Sequence, residues 1–333
     1  MNGSSMMPPV VLVTHQPPAP TREAFLDVLG DAAEVRFLPE LDDPERMAAL
    51  RCARAVLTYH PIRDLGVDAL GLLENCGLMQ CLTAGIDYLP FGDLPNHIAV
   101  AYNAGAYAEP MAEHVAAMTL SAAKRLAGEH RLMREGEFNQ FVPTKRIAGM
   151  TCGILGYGET GREVARLMRA LGMNIQAINR SGKTGEPVDF IGTLDDVDRV
   201  LAASDVVVIT LALTKKTDRL LRAAQLSRMK PDAILVNVAR GEIVDEADLY
   251  AHLVANPGFT ACLEAWWIEP VRHGRFETAY PFLDLPNVIA SPHNSAMTDG
   301  ALITAARRGA ENVLRYLKGE TPRFIAGDDV RMA

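Results

Sequence analysis

The sequence has few aromatic residues and no long apolar run. Aromatic residues make up 6% of its 333 positions, and only two of them are tryptophans. We find no stretch of about 18 apolar residues, the length that indicates a membrane-spanning helix, so no membrane association is expected. The segment before the first apolar run, MNGSSMMPP, lacks basic residues, which argues against a secretory signal peptide.

An excess of positive charge is also missing. The chain carries 33 Lys and Arg against 41 Asp and Glu, a formal net charge of -8. Surfaces that bind nucleic acid are basic, so no nucleic-acid partner is expected.

Cysteine is scarce, and its spacing matches no disulfide or zinc pattern. The five cysteines form no CxxC pair, and they are Cys52, Cys76, Cys81, Cys152 and Cys262. We therefore expect reduced, mostly buried cysteines and a cytoplasmic location. HExxH and EF-hand patterns are absent as well, so no metal site is predicted.

The sequence does contain a regular alternation of short apolar runs with helical patterns. The apolar runs lie at 10–15, 34–38, 54–59, 78–83 and 98–103, and then at 151–158, 174–179, 206–211, 233–238, 258–265 and 287–293. Strands that alternate with helices imply right-handed crossovers and mostly parallel sheets. The length is natural for two domains. An α/β fold with doubly wound parallel sheets is therefore predicted.

Two longer helices are predicted besides the short ones between the strands. The stretch 109–127 opens with Glu-Pro and is rich in Ala, Met and Leu, which favours one continuous helix that leads from one domain into the next. The stretch 299–319 predicts a helix that returns to the first domain.

A dinucleotide-binding fingerprint follows the run at 151–158. Gly156, Gly158 and Gly161 form G-x-G-x-x-G between a predicted buried strand and an amphipathic helix, and a second strand follows at the expected distance. The first glycine allows a tight turn, the second a close approach to a pyrophosphate, and the third close helix–strand packing. This context predicts a Rossmann coenzyme domain.

The segment INRSGK (178–183) comes directly after that second strand. NAD-binding units usually carry an acid here, which bonds the ribose 2′-hydroxyl. Asn179 stands in its place, and Arg180, Ser181 and Lys183 add two cations and a hydroxyl that suit a 2′-phosphate. The segment favours NADP(H); a neutral surface loop that tolerates NAD(H) is the alternative.

Three polar residues follow later predicted strands, at the sheet edge where open α/β sheets bind ligands. They are Arg240 in NVARGEIVDE, Glu269 in EAWWIEP and His293 in SPHNSAMT. Each alone is more often structural than functional, but together, beside a dinucleotide fingerprint, they indicate a catalytic site.

With these segments in order, the chain resembles the D-isomer-specific 2-hydroxyacid dehydrogenases. The resemblance rests on LTAGIDYLP, EPMAEHVAAMTL, GILGYGETG, LALTKKTDRLL, MKPDAILVNVARGEIVDEADL and SPHNSA, and it covers nearly the whole chain. It implies a flavodoxin-like substrate domain (1–103 plus 298–333), a Rossmann coenzyme domain (104–297) and a cleft between them. It also implies a homodimer built on the coenzyme domains and a small 2-keto or 2-hydroxy acid substrate.

The resemblance also implies residue roles. His293 would be the acid/base, Glu269 would orient it and favour its protonated form, and Arg240 would bind the substrate carboxylate and polarise the keto oxygen. Backbone N–H groups of Ala84, Gly85 and Ile86 would bind the carboxylate as well. Coenzyme contacts are implied for the fingerprint and INRSGK residues and for further positions, namely Tyr157, Glu159, Thr160, Leu211, Ala212, Thr217, Val238, Ala239, Arg240, Glu264, His293 and Ser295.

Some positions depart from the family pattern. Glu264, Ala265 and Trp266 stand where Asp-Val-Phe is usual, so the expected contact of the acid with the nicotinamide amide is in doubt. Trp266 and Trp267 either wall a substrate pocket or simply pack. His60 is read as a surface histidine before a proline rather than a substrate contact.

The leading interpretation is an NADP-preferring reductase of small 2-keto acids, such as glyoxylate and hydroxypyruvate. A dinucleotide-sensing, corepressor-like binding protein is the alternative from another class. A relative with another substrate, such as phosphoglycerate, a bulkier keto acid, phosphite or formate, is a third.

Overall fold

A computed structural model describes residues 8–327, and the contacts within it divide the chain into two compact units. One unit contains the residues up to Tyr107 and those from Thr298 onward, and the other is Ala108–Met297. The division on the N-terminal side thus falls four residues after the boundary at 103/104 that the sequence analysis drew. Residues 1–7 and 328–333, the ends of the predicted substrate domain, lie outside the described residues.

The first unit is built on a five-stranded parallel sheet. Its strands are β1 (Val10–Val13), β2 (Glu34–Phe37), β3 (Ala53–Thr58), β4 (Leu78–Cys81) and β5 (Ala99–Ala101). They lie in the order β2-β1-β3-β4-β5, which is the flavodoxin-like order. β1 and β4 are buried along their whole length, as parallel strands covered on both faces should be.

Helices cover both faces of this sheet. They are α1 (Ala19–Leu29), α2 (Asp43–Cys52), α3 (Pro61–Leu65), α4 (Val67–Leu70) and, from the C-terminal segment, α12 (Ala301–Leu317). The predicted return of the last helix to the first unit is observed, and α12 packs beside α1. The N-terminus of α2 is closed by a capping box in which Asp42 and Glu45 exchange hydrogen bonds.

The second unit holds a seven-stranded parallel sheet. Its strands are β6 (Thr151–Leu155), β7 (Asn174–Ile178), β8 (Phe190–Gly192), β9 (Val206–Ile209), β10 (Ile234–Asn237), β11 (Thr260–Leu263) and β12 (Val288–Ala290). The order β12-β11-β10-β9-β6-β7-β8 is that of a Rossmann sheet with one further strand. The prediction of two doubly wound parallel sheets is therefore confirmed.

Seven helices are described in the second unit. They are α5 (Ala108–Ala123), α6 (Leu126–Arg134), α7 (Glu159–Ala170), α8 (Val197–Ala203), α9 (Ala223–Leu226), α10 (Glu246–Ala255) and α11 (Pro270–His273). α5 and α7 pack together on the sheet, and their apolar faces, with Val115, Val164 and Met168, are fully buried.

The structure differs from the sequence prediction at two places in this unit. The single helix predicted for 109–127 is two helices, because Arg125 adopts a left-handed conformation (φ 56°) and the carbonyl of Ala123 accepts the N–H of Lys145. The strand β8 was missed. At three residues, the last of them Gly192, it is too short for an alternating or continuous apolar pattern to reveal it.

Candidate active site

The three fingerprint glycines form a cradle at the carboxyl end of β6. Gly156 has a φ of 110°, and a Cβ there would lie 2.7 Å from the backbone nitrogen of Leu211. A Cβ on Gly161 would lie 2.3 Å from the carbonyl oxygen of Gly156, so α7 approaches the β6 turn as closely as glycine allows. Gly158, in contrast, faces open space. Each glycine thus has the environment that its expected function requires.

This cradle fits a pyrophosphate. α7 begins at Glu159, directly after Gly158, so the first-turn N–H groups of Glu159, Thr160 and Gly161 lie at the open end of the helix. An anion at this position would interact favourably with those donors and with the helix dipole. These residues could hold the diphosphate of a nicotinamide dinucleotide.

The INRSGK segment is a tight turn organised by Asn179. The Asn179 Oδ1 atom accepts the N–H groups of Ser181 (3.1 Å) and Gly182 (2.7 Å), and its amide nitrogen donates to the carbonyl of Lys183 at 2.8 Å. An aspartate could make the first two bonds but not the third. Asn179 therefore shapes the turn, while the exposed side chains of Arg180 and Lys183 supply its positive charge.

The fingerprint tyrosine has a partner that sequence reasoning missed. Tyr157 is buried, and its hydroxyl donates to Glu186 at 3.2 Å. Burial, together with the neighbouring Glu186 carboxylate, raises the pKa of Tyr157 to about 12. Arg162 lies 3.5 Å from the same carboxylate and forms an ion pair with Glu159 at 2.7 Å.

His293 and Glu269 form a close pair. The His293 Nδ1 atom lies 2.8 Å from both carboxylate oxygens of Glu269. Glu269 is buried, and its Oε1 atom also accepts the backbone N–H of Trp266 at 2.7 Å, which fixes the carboxylate. The His293 side chain remains 33% exposed, and its backbone is left-handed, with a φ of 51°. Few residues other than glycine adopt this conformation, and those that do cluster at functional sites.

The electrostatics of the pair favour a protonated histidine. Burial alone lowers the pKa of His293, but the hydrogen bond to Glu269 and the negative charges of Glu264 and Glu269 outweigh it, so the pKa lies above its ordinary value. Burial likewise raises the pKa of Glu269, but the hydrogen bond and charge of His293, the N–H of Trp266 and the charge of Arg240 together outweigh burial and leave this pKa below its ordinary value. Nearby, the charge of Arg240 lowers both pKa values. Both shifts favour the imidazolium–carboxylate form of the pair.

Glu264 is a second, fully buried carboxylate on the other side of the imidazole. Its Oε1 atom accepts the backbone N–H of Ser295 at 2.8 Å. Its Oε2 atom lies 4.0 Å from His293 Nε2 and has no hydrogen-bond partner in the described part of the chain. A buried oxygen that lacks a hydrogen-bond partner favours an N–H donor. Glu264 could therefore accept the N–H of the nicotinamide carboxamide, the contact that the change from Asp to Glu put in doubt.

Arg240 lies on a loop held by Asn237, a residue that the sequence did not single out. The Asn237 side chain donates to the Arg240 carbonyl (2.8 Å) and accepts the N–H of Ala239 (3.1 Å). Its backbone carbonyl accepts the N–H groups of Glu264 (3.1 Å) and Ala265 (3.2 Å). One asparagine therefore ties the Arg240 loop to the segment after β11.

The two tryptophans pack rather than line an open surface. The Trp266 indole is buried and donates to the Ser291 carbonyl at 2.9 Å. The Trp267 indole donates to the Val244 carbonyl at 2.8 Å and stacks on Phe282. The bulky residues at 266–267 thus connect the Glu269 segment to its neighbours.

Other expected coenzyme positions lie at the carboxyl ends of β9 and β10. Leu211 and Ala212 follow β9, and the buried Val238 and Ala239 follow β10. The Thr217 hydroxyl is already used within its own loop, because it donates to the Ala212 carbonyl at 2.7 Å and accepts the Thr214 N–H at 2.8 Å. Thr217 therefore shapes this loop.

The expected carboxylate-binding loop lies in the first unit, at the carboxyl end of β4. Ala84 and Gly85 are half-buried there, while the Ile86 side chain belongs to the apolar core. The Tyr88 hydroxyl bonds Thr83 (2.8 Å) and the Tyr59 carbonyl (2.5 Å), which fixes the loop.

His60 lies beside this loop and is half-buried. Its ring stacks on Tyr88 with centroids 4.8 Å apart, and its Nδ1 atom caps α3 by accepting the Arg63 N–H. His60 thus remains partly exposed, and its ring is used for stacking and for the helix cap.

The described residues were also compared with the expectations on membrane helices, metal sites and cysteines. No helix within 8–327 is long and apolar enough to cross a membrane. No group of three or more His, Cys, Asp or Glu residues in that range could hold a metal ion. The five cysteines are free, and Cys76, Cys81, Cys152 and Cys262 are buried.

Comparisons with known proteins agree with this geometry. The family model described as "D-isomer specific 2-hydroxyacid dehydrogenase, NAD binding domain" matches residues 116–295. The chain is 32% identical over 287 residues to a hydroxypyruvate reductase of Thermotoga maritima, covering 85% of this chain and 86% of that relative. It is 34% identical over 256 residues to a D-3-phosphoglycerate dehydrogenase of Archaeoglobus fulgidus, covering 76% of this chain but only 47% of that longer protein.

A solved structure extends the comparison to the fold. The crystal structure of a glycerate dehydrogenase related protein from Thermoplasma acidophilum matches with a TM-score of 0.66 and 28% identity, covering 92% of this chain and 99% of that one. The chain therefore belongs to the D-isomer-specific 2-hydroxyacid dehydrogenases, a family of NAD(P)-dependent oxidoreductases that act on the CH–OH group of 2-hydroxy acids.

Proposed function

We propose that the protein reduces small 2-keto acids, such as glyoxylate or hydroxypyruvate, with NADPH. The observation that carries this proposal is the His293–Glu269 pair, which lies with Arg240 in the unit that contains the glycine cradle. Relatives named glyoxylate reductase and hydroxypyruvate reductase support this substrate class.

In the proposed mechanism, His293 is the general acid. The bound nicotinamide coenzyme supplies the hydride equivalent. His293, held protonated by Glu269, donates its Nε2 proton to the substrate carbonyl oxygen as that oxygen gains charge. Glu269 remains ionised and orients the ring through Nδ1, so the proton at Nε2 faces away from the pair.

Substrate binding is assigned to the Arg240 guanidinium and to the backbone N–H groups of one loop. Arg240 has a planar, permanently charged guanidinium, which suits both a carboxylate and a polarised keto oxygen. The backbone N–H groups of Ala84, Gly85 and Ile86 are proposed as further carboxylate donors. The hydrogen bonds of Tyr88 support this assignment, because they hold the loop in one conformation before substrate arrives.

The NADP(H) preference is assigned to the Asn179 turn. Arg180 and Lys183 place positive charge on this turn that would attract a 2′-phosphate, and Asn179 stands where an acid would repel one. Charge-assisted bonds from arginine to phosphate are among the stronger interactions at protein surfaces.

The experiment is steady-state reduction of glyoxylate and hydroxypyruvate with NADPH and NADH in parallel. We expect kcat/KM to be at least about tenfold higher with NADPH, a difference of about 1.4 kcal/mol. Arg180→Gln should remove most of that preference and leave kcat/KM with NADH unchanged. Arg166→Gln, an exposed change on α7, is the matched control. Higher activity with NADH would refute the coenzyme assignment while leaving the keto-acid assignment intact.

We also propose a cytoplasmic homodimer that uses the second unit. α6 has no buried residue, and apolar side chains are exposed along it and the following loop: Leu126, Met133, Phe138 and Phe141. Phe141 is 85% exposed, which is unusual for a large aromatic residue unless a partner covers it. Five free cysteines agree with a reducing compartment.

A further inference from the structure

The first unit contains a polar cavity whose lining residues have no function assigned above. It measures about 200 Å³ and is lined by the segment after β5 (Tyr102–Ala104), one side of α12, and Arg323 and Phe324. Three of its lining residues are arginines: Arg308, Arg315 and Arg323. A concentration of guanidinium groups is unexpected in a chain whose net charge is -8.

Contacts within the fold hold the side chains of Arg308 and Arg315 and the backbone of Arg323. Arg308 donates to the Gly105 carbonyl at 2.6 Å, and Arg315 is paired with Glu320 at 3.0 Å. The backbone of Arg323 is fixed from both sides by the buried Asn312, which accepts its N–H at 2.7 Å and donates to its carbonyl at 3.0 Å. Each guanidinium carries five donors, so these contacts leave others for a ligand.

The cavity wall also contains a strained residue. Phe324 has a φ of 55°, one of four positive values among the non-glycine residues of the described chain. Its carbonyl accepts the N–H of Tyr102, and the two rings lie 6.0 Å apart. Backbone strain of this kind in a residue other than glycine persists where surrounding structure holds it, and it is concentrated at ligand sites.

We propose that this cavity binds a multivalent oxyanion, either a phosphate group or a di- or tricarboxylate. Planar guanidinium groups match the paired oxygens of both anions, and one arginine can contribute two parallel bonds. The cavity also contains Glu311, and Glu320 neutralises part of the charge of Arg315. Three arginines still outnumber these two carboxylates, and three separate guanidinium groups suit a ligand with several anionic oxygens.

The test is isothermal titration of the full-length protein with inorganic phosphate and, separately, citrate, with NADPH saturating so that the coenzyme site is filled. Binding of either anion should weaken about tenfold or more in Arg308→Gln/Arg323→Gln. Arg307→Gln should bind like the unsubstituted protein, since Arg307 pairs with Asp27 outside the cavity. Phosphate alone would indicate a phosphorylated ligand, and citrate alone a polycarboxylate.

Glu311→Gln gives a result that damaged folding cannot imitate. Removing this carboxylate should tighten anion binding, because it eliminates the repulsion within the cavity. The proposal is overturned if neither anion binds, if binding is unchanged in the double arginine variant, or if Glu311→Gln weakens it. None of these results depends on whether the protein reduces keto acids.

Discussion

Glu269→Gln should reduce activity mainly at alkaline pH. The glutamine keeps the size of the side chain and an oxygen that can accept the Trp266 N–H, so the segment should fold as before. It removes the negative charge that lies 2.8 Å from His293 Nδ1. Since that bond and charge hold the pKa of His293 above its ordinary value, the pKa should fall in the variant.

The size of the effect follows from the geometry. A hydrogen bond to a charged group contributes about 1.5–3 kcal/mol, or about ten- to a hundredfold in rate. Because a third of the His293 side chain is exposed, solvent screens the pair, and we expect the lower end, about tenfold in kcat/KM. Burial would then be the main influence on the pKa of His293 in the variant. Glu264, 4.0 Å from Nε2, would remain as the neighbouring carboxylate.

The assay is kcat/KM for keto-acid reduction across pH, which reports the protonation of the essential acid. Reduction requires protonated His293, so activity should decline as pH rises through its pKa, and this decline should begin at lower pH in the variant. At acidic pH, where the imidazole is protonated in both proteins, the defect should shrink. Glu277→Gln, at an exposed glutamate of the same unit, is the control. A uniform loss at every pH would refute the reasoning.

Two further pairs of substitutions test the cradle and the proposed dimer. Gly161→Ala puts a Cβ 2.3 Å from the Gly156 carbonyl and should cost about 1–3 kcal/mol of unfolding free energy, whereas Gly158→Ala faces open space and should keep the melting temperature but weaken coenzyme binding. Calorimetry and coenzyme titration separate the two, and equal melting temperatures would contradict the packing argument. Phe141→Arg should yield monomers in light scattering, whereas Val271→Arg, at another exposed apolar residue, should not. A dimer that survives Phe141→Arg would place the interface elsewhere.

The fold was largely predictable because it depends on local patterns. Buried parallel strands give continuous apolar runs, and each predicted run does contain a strand. β8 and the break at Arg125 were not predictable in the same way. The first is a three-residue edge strand, and the second depends on a contact between Ala123 and Lys145, which are far apart in sequence.

Candidate site residues could be selected from the sequence, but their electrostatics could not be predicted from it. Arg240, Glu269 and His293 could be selected because each follows a strand and fits a family pattern. That Glu264 is fully buried and lies near the outer nitrogen of His293 depends on the packing of two segments after different strands. The contribution of Asn237, whose side chain and carbonyl hold both segments, could not be seen from its position in an apolar run.

The most direct test of the account compares His293→Ala with the unsubstituted protein in glyoxylate and hydroxypyruvate reduction, with coenzyme affinity measured in both. The account predicts turnover by the unsubstituted protein and a loss of about 10²–10⁴-fold in the variant, the usual contribution of a general acid. Coenzyme affinity should change little, because the glycine cradle is untouched. Full activity of His293→Ala would contradict the mechanism. Coenzyme binding without turnover by the unsubstituted protein, on these and bulkier keto acids, would instead support a dinucleotide-sensing protein.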